Sequence, residues 1–125
     1  MKLNAVHTTL PVADLDRAKK FYLEKLGLSP STEEPGGVFY EVGPTRFLVF
    51  PAGGRASGEH TQMGFTVDDI ESAVAELKSR GVVFQEYDFP GLKTVGSVAT
   101  TGPIRAAWFK DSEGNLLGLV QFVVS

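Results

Sequence analysis

Apolar residues fall on alternate positions in two short stretches of this chain, Val6, Leu10 and Val12 in one and Met63, Phe65 and Val67 in the other. Period-2 alternation predicts a strand with one buried face. An aspartate follows each stretch, Asp14 or Asp69. A carboxylate there accepts from the free amides of a first helical turn and suits the positive end of the helix dipole, so each aspartate predicts a helix start. Leu15, Ala18, Tyr22 and Leu26, then Ile70, Ala73, Val74 and Leu77, recur at helical spacing and give each helix one apolar stripe. Gly27 and Gly81 are placed to end them. Extended segments separated by turn residues come next: LSPSTEE, GVFYEVG and TRFLVFPA in the first half, VVFQEYDF, PIRAAWFKD and NLLGLVQFVV in the second.

The two halves are copies. HTTLPVADLDRA from His7 aligns with QMGFTVDDIESA from Gln62, an offset of 62 − 7 = 55 that also matches Val12 with Val67, Asp14 with Asp69 and Ala18 with Ala73. One βαβββ unit covers only one face of a small sheet with its helix, too little to stand alone. The expected fold is therefore α+β, with two βαβββ modules forming a curved mixed sheet around a concave cavity and the helices outside. Module one spans about 1–52, a glycine-rich linker 53–59, and module two about 60–125, as a single domain. Pairing of the modules within one chain or between chains stays open. FPGLKTVGSVATTG, residues 89–102, is long for a hairpin loop and reads either as a lid over the cavity or as a strand excursion at the sheet edge.

Composition narrows the partners. With 125 residues, 42% of them hydrophobic, a normal core can form. A formal net charge of −3, scattered along the chain, offers no electrostatic footprint for nucleic acid or an anionic membrane. No apolar run approaches the roughly 18 residues of a membrane span, and MKLNAVHTTLPV lacks the features of a signal peptide, so a cytoplasmic location is expected. Zero cysteines exclude a disulfide, a thiolate nucleophile and sulfur ligation of a metal. His7 and His60 are the only histidines. No Ser/His/Asp arrangement, phosphate-cradling glycine motif or carboxylate pair stands out. Asp111 and Glu113 read as members of an exposed turn, and Glu33, Glu34 and Glu41 as strand-edge charges.

VHTTLPVADLDRAKKFYLEKLGL, MGFTVDDIESAVAELKSRGV and AAWFKDSEGNLLGLVQF, in that order and spacing, resemble the glyoxalase/bleomycin resistance/dioxygenase (vicinal oxygen chelate) superfamily over essentially the whole chain. KDSEGNLLGL is similar to the family's closing D-P-D-G-N-x-x-x-L turn and strand, with Ser112 in place of proline. The resemblance implies a range of activities, from isomerases, lyases and dioxygenases to proteins that only sequester a drug. In metal-dependent members it implies a divalent ion on the concave face, acting as a Lewis acid on two neighbouring substrate oxygens. The position of the first ligand carries His7. The second falls near Val49, where residues 45–52 contain no acid or histidine. The third corresponds to Gln62, an amide that is a poor ligand for zinc, nickel or iron(II) beside one imidazole. The fourth, a glutamate four residues after the turn glycine, corresponds to Gly118. His60 is a weak substitute, two residues before Gln62 at the end of the linker. No cofactor and no metal site are therefore expected.

Without a metal, the concave face reads as a binding pocket. Alternation places His7, Thr9, Gln62, Gly64 and Thr66 on it, beside either Phe47 and Val49 or Leu48 and Phe50. Gly64 and Gly118 remove bulk, while Trp108 with Phe50, Tyr40 or Tyr87 supplies aromatic surface for a flat ligand. Arg46 and Arg105 are the nearest cations for an anionic group. His7 is expected to bond across the cavity to Gln62 or to a ligand. The favoured function is small-molecule binding, of a drug or metabolite, by a homodimer, with no nucleic acid or membrane partner. The alternatives are a superfamily enzyme in which His7 is the acid/base group and Gln62 or Arg105 steadies an anion, and an accessory or regulatory subunit.

Overall fold

A computed structural model describes residues 1–123. Module one runs β1 (Thr8–Val12), α1 (Leu15–Leu26), β2 (Thr32–Glu34), β3 (Gly37–Val42) and β4 (Thr45–Pro51). Module two runs β5 (Met63–Thr66), α2 (Ile70–Ser79), β6 (Asp88–Phe89), β7 (Leu92–Val95), β8 (Val98–Thr101), β9 (Ile104–Lys110) and β10 (Leu116–Phe122). Both helices start as their sequences dictate: Asp14 accepts from the Arg17 amide at 3.0 Å and Asp69 from the Ser72 amide at 3.2 Å. Gly27 ends α1 in the left-handed region, φ +70°, and its amide donates to the open Leu23 and Tyr22 carbonyls. Ala18, Tyr22, Ile70, Val74 and Leu77 carry the buried stripes.

Hydrogen bonding divides the strands into two sheets, β1-β4-β3-β2 and β5-β10-β9-β8-β7-β6, instead of one continuous sheet. In each module the strand before the helix lies parallel to the last strand, β1 on β4 and β5 on β10, and the other pairs are antiparallel. Register then sorts side chains by face. Thr8, Phe47 and Tyr40 share a row, and Met63, Leu117 and Phe109 share another, both turned toward the helices. Tyr22, Tyr40 and Phe47 pack ring to ring between α1 and its sheet, centroids 5.1–5.7 Å apart.

Two expectations are corrected and one open alternative is resolved. The first strand begins at Thr8, so Val6 is 95% exposed and faces no helix. Of VVFQEYDF, only Asp88 and Phe89 form a strand; Val82 and Phe84 are buried, and Phe84 makes an isolated bridge to Phe109. Of the two readings of residues 89–102, the strand excursion is the one seen: residues 88–101 build the β6-β7-β8 edge, with Ser97 and Thr94 hydroxyls donating to Glu86. Hydrogen bonds from those hydroxyls hold the Glu86 carboxyl below its usual range.

The modules pack together within the chain, and the DSEGN turn between β9 and β10 is what locks them. Asp111 and Glu113, read as exposed, are both 6% exposed. Glu113 Oε1 accepts from the Ala13 and Asp14 amides at 3.0 and 2.9 Å, and Arg17 grips both carboxylate oxygens at 2.7 and 3.0 Å. Chiefly through the Arg17 hydrogen bond, the Glu113 carboxyl is held down to about 2. Asp111 accepts from the Tyr22 hydroxyl at 2.8 Å and from the Glu113 and Asn115 amides, while Asn115 Nδ2 donates to Pro11 O at 3.0 Å. On the far side, Lys25 Nζ donates to Arg80 O and Arg80 Nη1 to Lys25 O. Those two residues are 80 − 25 = 55 apart, the repeat offset, so an approximate twofold axis passes between them.

Candidate functional site

The face of each sheet turned away from its helix is set by strand parity. In module one, Thr9, Leu48 and Phe39 form one row of this open face and Pro11 and Phe50 belong to the next. Parity thus selects Leu48 and Phe50 over Phe47 and Val49, which are 4% and 0% exposed on the helix side. The His7 ring meets Phe39 edge-on at 5.4 Å, and the Arg46 guanidinium lies 4.1 Å over the same Phe39 ring. His7, Phe39 and Arg46 are one cluster.

In module two, Gly64, Gly118 and Trp108 share a row. A Cβ on Gly64 would meet nothing nearer than Gly118 O at 3.9 Å, so the floor is open there. At Gly118 it is not. A Cβ would touch Thr61 Cγ2 at 3.4 Å and the Trp108 indole at 3.7 Å, because the indole N–H donates to Thr61 Oγ1 at 3.0 Å across that spot. The space left by the missing side chain at Gly118 is therefore small: a Cβ fits there in ordinary contact, bounded by Thr61 and the edge of Trp108. Tyr87 packs edge-on against Trp108 at 5.4 Å and Phe89 against Tyr87 at 5.7 Å, extending the aromatic surface outward to Phe89, 54% exposed.

Other candidates lie elsewhere. Arg105 alternates with Trp108, points to the helix side and donates to Glu71 of α2 at 2.8 Å, so it is removed from the open face. Tyr40 is fully buried and stacked on Phe47, with burial pushing its hydroxyl up to about 12. His60 Nδ1 lies 3.2 Å from Ser57 Oγ in the exposed linker. Gln62 is half-buried, its backbone N–H donating to Leu116 O at 2.7 Å.

A cavity of about 520 Å³ opens at the seam between the modules, where the β3–β4 turn approaches β5. Thr8, Thr45 and Thr66 offer hydroxyls, Arg46 a cation, Gly64 an open wall, and Phe47, Met63 and Phe65 the apolar remainder. Of the residues expected in the pocket, only Gly64, Thr66, Arg46 and Phe47 line it. Phe39 and Thr61 were not foreseen. Period-2 parity contains the signal for Phe39, since it alternates with buried Val38 and Tyr40, but Thr61 lies before its strand and no pattern marks it.

The donor set does not fit the divalent ion of the metal-dependent relatives. At the four positions the resemblance implies stand one imidazole, the apolar β4 segment whose open face carries Leu48 and Phe50, the amide Gln62 and Gly118, which has no side chain and is bounded by Trp108 and Thr61. Among the described residues no three His, Asp or Glu side chains are grouped to hold a cation, and no helix is long and apolar enough to cross a membrane.

Comparison with known proteins agrees with this architecture. The chain is 29% identical to the uncharacterized protein YurT of Bacillus subtilis (strain 168), over 95% of this chain and 99% of that one. Among solved structures it is similar to a protein from the mobile metagenome of V. Pseudocholerae, 25% identical, TM-score 0.69, covering 99% and 98% of the two chains. It is also similar to TnmS3, an antibiotic binding protein from Streptomyces sp. CB03234, 24% identical, TM-score 0.69, covering 98% of each. The family model for the Glyoxalase/Bleomycin resistance protein/Dioxygenase superfamily matches residues 4–119, and the chain belongs to that superfamily.

Proposed function

We propose that this chain is a metal-independent small-molecule-binding protein that takes a flat, mainly aromatic ligand on the open face of its modules, sequestering a drug or metabolite in the cytoplasm as a homodimer. One observation carries the reading: the bare backbone of Gly64 lies in the same row as Trp108, whose indole leads through Tyr87 to exposed Phe89. A flat ring system gains both apolar burial and edge or face contact on such a surface. The His7–Phe39–Arg46 cluster supplies a cation for an acidic substituent. The fold likeness to an antibiotic binding protein supports the same class of ligand.

Trp108 is the only tryptophan, so its fluorescence reports on this face directly. A screen of polycyclic aromatic and glycopeptide compounds by thermal shift, followed by titration of Trp108 emission, is expected to find ligands that stabilise the protein and quench the indole. Trp108→Phe abolishes the signal, so its affinity is read by calorimetry and is expected to fall. If no compound stabilises the chain, or if elemental analysis of protein purified without chelators finds one metal per chain, the proposal is wrong. Sedimentation equilibrium checks the dimer.

A further inference from the structure

The repeat makes a comparison possible between two places that the approximate twofold relates. Under the 55-residue offset, Phe21 and Tyr22 of α1 correspond to Glu76 and Leu77 of α2. On the α1 side the space between helix and neighbouring module is filled. Tyr22 is fully buried, packs edge-on against Phe21 at 5.5 Å and donates to Asp111, and the DSEGN turn closes the rest. On the α2 side the two smaller, non-aromatic side chains stand where the aromatics would be, and the β3–β4 turn has Gly43 and Pro44 with no inward carboxylate like Glu113. What remains is an apolar crevice of about 220 Å³ on the helix face, walled by Leu26, Leu28, Phe65, Ala73, Leu77 and Leu119.

We infer that this crevice is a second ligand site, separate from the open face, for a neutral, mostly apolar molecule with one polar end. The size follows from the volume: a dry cavity of about 150 Å³ holds benzene, so 220 Å³ corresponds to roughly nine non-hydrogen atoms. The charge follows from the rim. Glu76 and Arg80 both line the mouth and are paired with each other at 3.2 Å, so neither an anion nor a cation meets an uncompensated partner there. Arg80 spends one N–H on Lys25 O and one on Glu76, which leaves three of its five donors for an alcohol or carbonyl oxygen. Phe65 and Thr66 also line the large seam cavity, so the two sites share a wall.

Benzyl alcohol is a suitable probe, titrated into ¹⁵N-labelled protein with amide shifts followed by NMR. Saturable shifts are expected at Leu26, Ala73 and Leu77. They should be lost in Glu76→Phe, which restores the residue type of the filled side, and in Ala73→Met, which fills the crevice from its floor. They should persist in Trp108→Phe, whatever the outcome of the open-face screen. No saturable shift, or shifts centred on Trp108 and Gly64, overturns the inference in the wild-type protein alone, without reliance on either variant. So do shifts at Ala73 and Leu77 that follow protein concentration with no probe present, because the crevice is then covered by a second copy of the chain.

Discussion

Glu113→Gln tests what holds the two modules together. In the native protein the Glu113 side chain is fully enclosed, with one oxygen accepting from two backbone amides and Arg17 Nη2, and the other from Arg17 Nε and the Ser112 hydroxyl. Glutamine keeps one acceptor oxygen but turns an NH₂ toward the donors that the second oxygen served. The carboxyl is held at about 2, against about 4.3 in an unfolded chain; at about 1.36 kcal/mol per unit this is worth roughly 3 kcal/mol at neutral pH. Arg17 is half exposed, and water screens part of the pairing, so the expected loss is roughly 2–3 kcal/mol. For a domain of this size that lowers Tm by roughly 6–15 °C. The folded value lies below the unfolded one, so the stabilisation is complete above pH about 4.5 and is lost as pH falls toward 2. Urea unfolding followed by circular dichroism at pH 7, 5 and 3 measures both effects. The gap between wild type and Glu113→Gln should be largest at pH 7 and shrink at pH 3. A variant within about 0.5 kcal/mol of wild type at pH 7, or a gap independent of pH, would refute the reasoning.

Tyr22→Phe removes a buried hydroxyl from Asp111 and is expected to cost about 1–2 kcal/mol in urea unfolding, because that oxygen keeps only the Asn115 Nδ2 donor. Gly37→Ala should cost more than about 2 kcal/mol, since the new Cβ would sit 2.5 Å from the Val49 carbonyl oxygen and the backbone there cannot yield cheaply. Gly118→Glu restores the acid found in metal-dependent relatives, yet calorimetry with zinc or manganese is expected to show no tight binding. Thr61 and Trp108 crowd the space beyond its Cβ, and His7 is turned to Phe39. The same variant should lower Tm.

The repeat, the helix starts, the apolar stripes and the overall α+β architecture were legible in the sequence because each is local. An aspartate before a 3.6-residue stripe and a period-2 run depend on neighbours a few positions away, and the 55-residue offset declares that whatever one half does the other does too. Parity likewise placed Gly64 and Thr66 on one face, while the register that joins Gly118 and Trp108 to Gly64 in a row is set by strand pairing. Parity also separates Arg105 from Trp108, three positions apart on one strand, but it could not say what Arg105 meets there, Glu71, 34 residues distant. Nor could it reveal that the turn residues Asp111 and Glu113 are buried: a DSEGN turn reads as solvent-facing until the module across from it supplies Arg17, Tyr22 and two free amides. Gly118 shows the division most sharply. The sequence by itself established that no ligating group stands at that position; only the tertiary structure decided that Trp108 and Thr61 flank it, because the hydrogen bond between them joins strand β9 to the residues just before β5, 47 positions apart in the chain.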